Sequence, residues 1–180
     1  MACTRGHRSG LRSAPRRVDW CSVDVAGRFR EYVRLDRQRG EGGLSPAELH
    51  RWRVLRQVLA SHFSPGTPAV TVEQRESVRV PTCVNVSFAT DNALGRCVMT
   101  RISRHGVFVQ TEHPLELKER FMLRIHVELP LRDIFVPVEV VSLGLGPNYA
   151  VDKQGMGLRF LETDPAVTRA IDELYERSVG

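Results

Sequence analysis

Arg75 and Arg79 stand four residues apart in the run Arg75-Glu76-Ser77-Val78-Arg79, just before an alternating apolar stretch, Val80 to Phe88. A guanidinium presents a planar fork of donors that fits phosphate oxygens and the O6/N7 edge of guanine. A second run, Arg101-Ile102-Ser103-Arg104-His105-Gly106, follows about a strand and a half later. There Ser103 supplies a hydroxyl, and Gly106 permits close backbone approach or a positive φ. The two runs together read as a clamp for phosphate and guanine on a small β-domain. No other constellation carries comparable chemistry. Gly-x-Ser-x-Gly, His-Glu-x-x-His and the phosphate-binding P-loop are all absent from the sequence. The six histidines are scattered, and His105, beside the clamp, reads as a loop surface residue. Gly144-Leu145-Gly146 falls between two strands and is hairpin chemistry. An enzyme is not expected.

Several elements must position these residues. Val25, Phe29, Tyr32 and Val33 form one apolar stripe at helical spacing, which predicts a helix over residues 24–39, capped by Asp24 and ended by Gly40-Glu41-Gly42-Gly43. Ser45-Pro46-Ala47-Glu48 is a capping box with proline at the first helical position. Leu49, Trp52, Leu55, Leu59 and Phe63 give the second helix its apolar face, and Ser64-Pro65-Gly66 stops it. Residues 24–63 thus form a helical hairpin, followed by a linker over 64–74. From there the period changes from 3.6 to 2. Strands are expected at Val80 to Phe88, Arg96 to Ile102, Val107 to Gln110, Phe121 to Leu129, Ile134 to Leu143, and around Leu158 and Phe160. Pro81-Thr82 interrupts the first strand and marks a bulge or an edge. Strands this short and numerous imply an antiparallel sandwich or barrel, and a barrel removes exposed edges. Asp164-Pro165 caps a last helix bearing Val167, Ile171 and Leu174.

Charge narrows the partners. The net charge of +5 equals the five arginines of residues 1–17, a stretch without acids; the remaining 21 basic and 21 acidic residues cancel. Residues 1–23 are basic, rich in Gly, Ser and Pro, and expected to be disordered. The body is neutral, so nucleic-acid binding through the fold is not expected, and only the tail could carry it. Arginine outnumbers lysine 24 to 2, so any one arginine is weak evidence by itself. No apolar run approaches the ~20 residues of a membrane span, and the N-terminus lacks the apolar stretch of a secretory signal. Cys3, Cys21, Cys83 and Cys97 form no C-x-x-C pair, so zinc is not expected. Cys83 and Cys97, on successive strands, read as buried free thiols, and a reducing cytoplasm fits best.

The Arg75/Arg79 pair, the Ser103-x-x-Gly106 turn, the strand order and the closing Gly155-Met156-Gly157-Leu158-Arg159-Phe160 together resemble the PilZ family over about residues 73–177. The resemblance implies a six-stranded antiparallel β-barrel with a C-terminal helix, within an α+β chain that begins with the helical hairpin. It also implies a non-enzymatic cyclic di-GMP receptor or adaptor. In that family an Arg-x-x-x-Arg segment and an Asp/Asn-x-Ser-x-x-Gly motif bind the dinucleotide. The positions carried over are Arg75, Arg79, Arg101, Ser103 and Gly106. Arg75 and Arg79 would grip a guanine edge or a phosphate, and Ser103 would make one hydrogen bond at the barrel wall.

Arg101 departs from the pattern, which has Asp or Asn there. A carboxylate or amide accepts the guanine N1 and N2 protons; a guanidinium cannot accept at all. Losing such an acceptor costs about 2–5 kcal/mol. Arg101 would escape this by turning outward, or by meeting a phosphate or a guanine Hoogsteen edge. Gln74 also stands where many members carry a basic residue. A plainer reading pairs Arg75 and Arg79 with Glu73 and Glu76, sets Arg101 opposite an acid across the sheet, and leaves Ser103 to Gly106 as a tight turn. The degenerate motif and the appended hairpin equally suit an adaptor that docks a protein partner without nucleotide. A hairpin stripe larger than the barrel can cover would give a homodimer through Trp52, Leu55, Leu59 and Phe63.

Overall fold

The structure is a computed structural model and describes residues 24–66, 70–71, 75–90, 94–128, 131–144 and 154–179. The basic tail (1–23), parts of the linker, and the Asp91-Asn92 and Leu145-Gly146 turns lie outside the described residues.

Helix α1 (Val25–Glu41) starts where Asp24 accepts the Gly27 N–H. Helix α2 (Pro46–Phe63) starts at the expected capping box: the Glu48 N–H donates to Ser45 Oγ (3.3 Å), and the Ser45 N–H donates to the Glu48 carboxylate (3.0 Å). These reciprocal bonds satisfy two orphan donors of the first turn. Six strands follow: β1 (Val80–Ala89), β2 (Leu94–Ser103), β3 (Gly106–Gln110), β4 (Arg120–Val127), β5 (Arg132–Gly144) and β6 (Gly155–Phe160). They close an antiparallel barrel in the order β1-β2-β3-β6-β5-β4. The expected fold class therefore holds. The offset at Pro81 is a bulge and not an edge: β1 pairs with both β2 and β4, and its register with β2 shifts between Pro81 and Val84. Helix α3 (Pro165–Arg177) follows, capped by Asp164.

Helix α3 packs on β5, α1 on α3, and α2 on α1. Phe29 meets Phe63 and Tyr175 edge-on, with ring centres 6.1 and 5.0 Å apart, and Tyr32 stacks on Trp52. The helices and the barrel share one continuous core. Trp52, Leu55 and Leu59 are buried within this single chain, and Phe63 is partly buried. The stripe is thus covered within one chain and does not by itself require a second copy. The expectation of buried thiols is corrected at Cys83. Cys83 is exposed because it falls on the outward phase of β1 with Pro81 and Asn85, while Cys97 is partly buried and packs against the core; both are free. No helix among the described residues is long and apolar enough to cross a membrane.

Candidate functional site

Strand β2 ends at Ser103 and β3 begins at Gly106, so Arg104-His105 form a two-residue turn. The segment carrying Arg75 and Arg79 runs into β1 beside that turn. Between them lies an open cleft of about 300 Å³, whose lining includes Arg75, Arg79, Arg101, Ser103, His105 and Gly106. All five residues singled out from the sequence meet there. The volume is at the lower end for small-molecule sites, ~300–1,000 Å³.

Arg75, Arg79 and Arg101 form no ion pair with any described residue. Burial, then the charges of Arg79 and Arg101, hold the Arg75 guanidinium below its ordinary value. Burial and then Arg101 do the same to Arg79. Both stay charged, since arginine starts so high. The pairing of Arg79 with Glu76 is not found: Glu76 lies 3.5 Å from His105 Nε2 instead. Glu73 is outside the described residues. Nor does Arg101 oppose an acid; its cross-strand partners are Pro81 and Phe108. It does not turn away either, since it lines the cleft. A fourth arginine, Arg159, also lines the cleft but is neutralised by Glu139 at 2.8 Å, which also holds Arg120. Hydrogen bonding from Arg120, first of several contributions, keeps the Glu139 carboxyl below the usual range. Among the described residues, the cleft therefore presents three guanidiniums without an ion pair, with Glu76 at its edge beside His105, an arrangement suited to a multiply charged anion.

Ser103 is buried, and its hydroxyl donates to the Gly106 carbonyl at 3.0 Å. Only acceptor capacity is left for a ligand. Gly106 is needed for close approach and not for positive φ: a Cβ there would fall 2.1 Å from the Leu158 carbonyl oxygen on β6. Gly106→Ala is expected to force β3 and β6 apart and lower stability by about 1–3 kcal/mol in a thermal melt. Gly42→Ala, where nothing lies within 4 Å, is expected to be near neutral.

Three features were not legible in the sequence. Arg104 leaves the cleft and bridges two acids, Asp36 on α1 (3.2 Å) and Asp172 on α3 (3.1 Å). Asp36, 3% exposed, also accepts the Trp52 indole N–H at 3.0 Å. The Arg75–Arg79 segment is anchored as well. Ser77 and Val78 are buried, Ser77 Oγ lies 3.2 Å from His105 Nδ1, and Val78 is held on both sides. Its N–H donates to Tyr32 Oη (3.2 Å), and its carbonyl accepts from Tyr175 Oη (2.8 Å). Burial pushes both phenols far above the ordinary tyrosine value, helped by Asp36 at Tyr32 and by Tyr32 at Tyr175, so both stay protonated. The third feature is a polar chain on the barrel exterior: Ser87 Oγ to His126 Nε2 at 2.9 Å, and His126 Nδ1 to Asp133 at 2.8 Å. Its order matches that of a nucleophile, a base and an orienting acid. Hydrolysis also needs an enclosed site with donors for developing negative charge. These side chains stand on the outer sheet face and line neither the arginine cleft nor the groove between α1 and α3. They support cross-strand pairing.

Comparison with known proteins places this geometry in context. The PilZ domain family model matches residues 73–177. No curated protein matches the chain. Among solved structures, the inhibitor of motility from Bacillus subtilis is similar at 22% identity and a TM-score of 0.48, over 58% of this chain and 50% of that one. The chain thus spans half the length of that protein. The PilZ domain of YcgR from Escherichia coli, solved with c-di-GMP, is similar at 16% identity and a TM-score of 0.47, over 56% of this chain and 88% of that one. A tetrameric PilZ protein from Xanthomonas campestris, assembled through a helical bundle, is similar at 16% identity and a TM-score of 0.33, over 87% of this chain and 74% of that one.

Proposed function

Because the chain belongs to the PilZ domain family, we propose that it is a non-enzymatic cytoplasmic signalling protein whose arginine cleft binds cyclic di-GMP and passes that state to a protein partner. The observation that carries this reading is the convergence of Arg75, Arg79 and Arg101 on one cleft, none of them ion-paired with an acid among the described residues. Two phosphates and two guanine edges supply acceptors for these donors. Arg75 and Arg79 grip a phosphate or a Hoogsteen edge, and the Ser103-to-Gly106 turn forms the wall beside them. Arg101 stands where an acceptor for guanine N1 and N2 is wanted and limits the affinity.

Isothermal titration of the full chain with cyclic di-GMP tests this. Saturable binding is expected below ~100 μM. Arg79→Ala removes charge-assisted hydrogen bonds worth about 1.5–3 kcal/mol, so affinity should fall by roughly 10- to 100-fold. No saturable heat at that concentration overturns the reading.

The missing acceptor at Arg101 favours one alternative, an adaptor that needs no nucleotide. Here the partners captured by the protein would be unchanged by cyclic di-GMP and by Arg79→Ala. The hairpin shares the barrel's core, so point substitutions test this better than deletion of residues 24–63.

A further inference from the structure

Both halves of the cleft hang on the same two helices. Tyr32 and Asp36 lie one turn apart on α1, hence on one face. Asp172 and Tyr175, three residues apart on α3, share a face in the same way. The two tyrosines hold the Val78 peptide groups, and Val78 adjoins Arg79. The two acids hold Arg104, which lies in the turn between Ser103 and Gly106. His105 closes the ring from the other side by contacting Ser77 and Glu76 of the arginine segment. Within a sheet, the Val78 N–H and C=O would pair with a neighbouring strand. Here side chains from residues 46 positions before and 97 positions after satisfy them.

We propose that α1 and α3 form a bracket that sets the spacing between the Arg75–Arg79 segment and the Ser103–Gly106 turn, with Tyr32 and Tyr175 as positioning residues, so that an anion in the cleft is sensed as increased stability of the N-terminal hairpin. The ligand half of this inference rests on the reading of the cleft as a nucleotide site. The linkage is reciprocal. Whatever loosens α1 from Val78 displaces Arg75 and Arg79 and weakens the ligand, and the ligand resists that loosening by the same factor. The bracket needs only contacts made within one chain.

Hydrogen exchange on the full chain, with and without saturating cyclic di-GMP, tests the coupling. Ligand should slow exchange in residues 25–41 and 165–177 by ~10-fold or more, because local opening then also loses ligand. Tyr32→Phe and Tyr175→Phe each remove one hydrogen bond from a buried backbone group, so each should weaken binding by about fivefold or more. The dissociation constants are read at a temperature where circular dichroism shows each variant folded. A purely structural role would lower the melting temperature and leave the dissociation constant unchanged. Saturable binding without slower exchange in α1, or with unchanged affinity in both variants, overturns the inference and leaves the proposed function standing. If cyclic di-GMP does not bind, the proposed function fails, and the ligand-free arm decides the bracket. The Val78 and Arg79 amides should exchange about fivefold faster in Tyr32→Phe than in the wild type; equal rates overturn it.

Discussion

Arg101→Asp is expected to tighten cyclic di-GMP binding by roughly 30-fold to several thousandfold, the equivalent of about 2–5 kcal/mol. Two effects act in the same direction. The carboxylate supplies the acceptor that guanine N1 and N2 require and that a guanidinium cannot provide. It also removes a charge whose repulsion adds to burial in holding Arg75 and Arg79 below their ordinary values. The structure sharpens the prediction, because Arg101 lines the cleft and has no cross-strand acid to draw it elsewhere. Calorimetry on the variant and the wild type gives the answer directly. Weaker binding in Arg101→Asp would mean that Arg101 itself grips a phosphate, and that this cleft reads its ligand by charge more than by base.

Asp36→Ala is expected to destabilise the protein by about 3–5 kcal/mol, the range for removing one partner of a buried ion pair. Asp36 is 3% exposed and serves three donors: the Trp52 indole at 3.0 Å, Arg104 at 3.2 Å and Arg39 at 3.6 Å. Without it the indole N–H is orphaned in the core, and Arg104 keeps only Asp172. For a chain of this size the melting temperature should fall by roughly 6–20 °C. The exposed pair between Arg51 and Glu31 provides the contrast. It is bidentate, yet Arg51→Ala is expected to change stability by less than about 1 kcal/mol, because water screens it. A loss in Asp36→Ala no larger than in Arg51→Ala would show that the Asp36 network does not hold the helices to the barrel.

Much of the fold was legible because its causes are local. Asp24 and the Ser45-to-Glu48 box bond within three residues of themselves. The alternation through Phe121, Leu123, Ile125 and Val127 is the pleat of β4 itself. Gly106 was legible as a special position, but which of its two reasons applied was not. That reason is the Leu158 carbonyl, more than 50 positions away. Cys83 was misread for the opposite reason: an apolar residue type in a strand was assigned to the core, although its phase in the alternation, shared with Pro81 and Asn85, faces outward.

The sequence by itself singled out five residues that line the cleft, because two short motifs with family spacing carry them and each lies within a few residues of chain. It also determined the helices and strands, whose apolar periods and caps are short-range. Only the tertiary structure decided that the three arginines form no ion pair among the described residues, since that depends on what stands across the sheet. It alone decided that the hairpin covers its own stripe. The joining of the arginine segment to the helices was likewise invisible in the sequence. Tyr32, Val78 and Tyr175 are ordinary apolar-period residues in their own segments, and their bonds exist only after folding brings distant segments together. Hydrogen-bond partners so far apart leave no periodic trace in the chain, because period reports the burial of a face and not what its polar atoms find there.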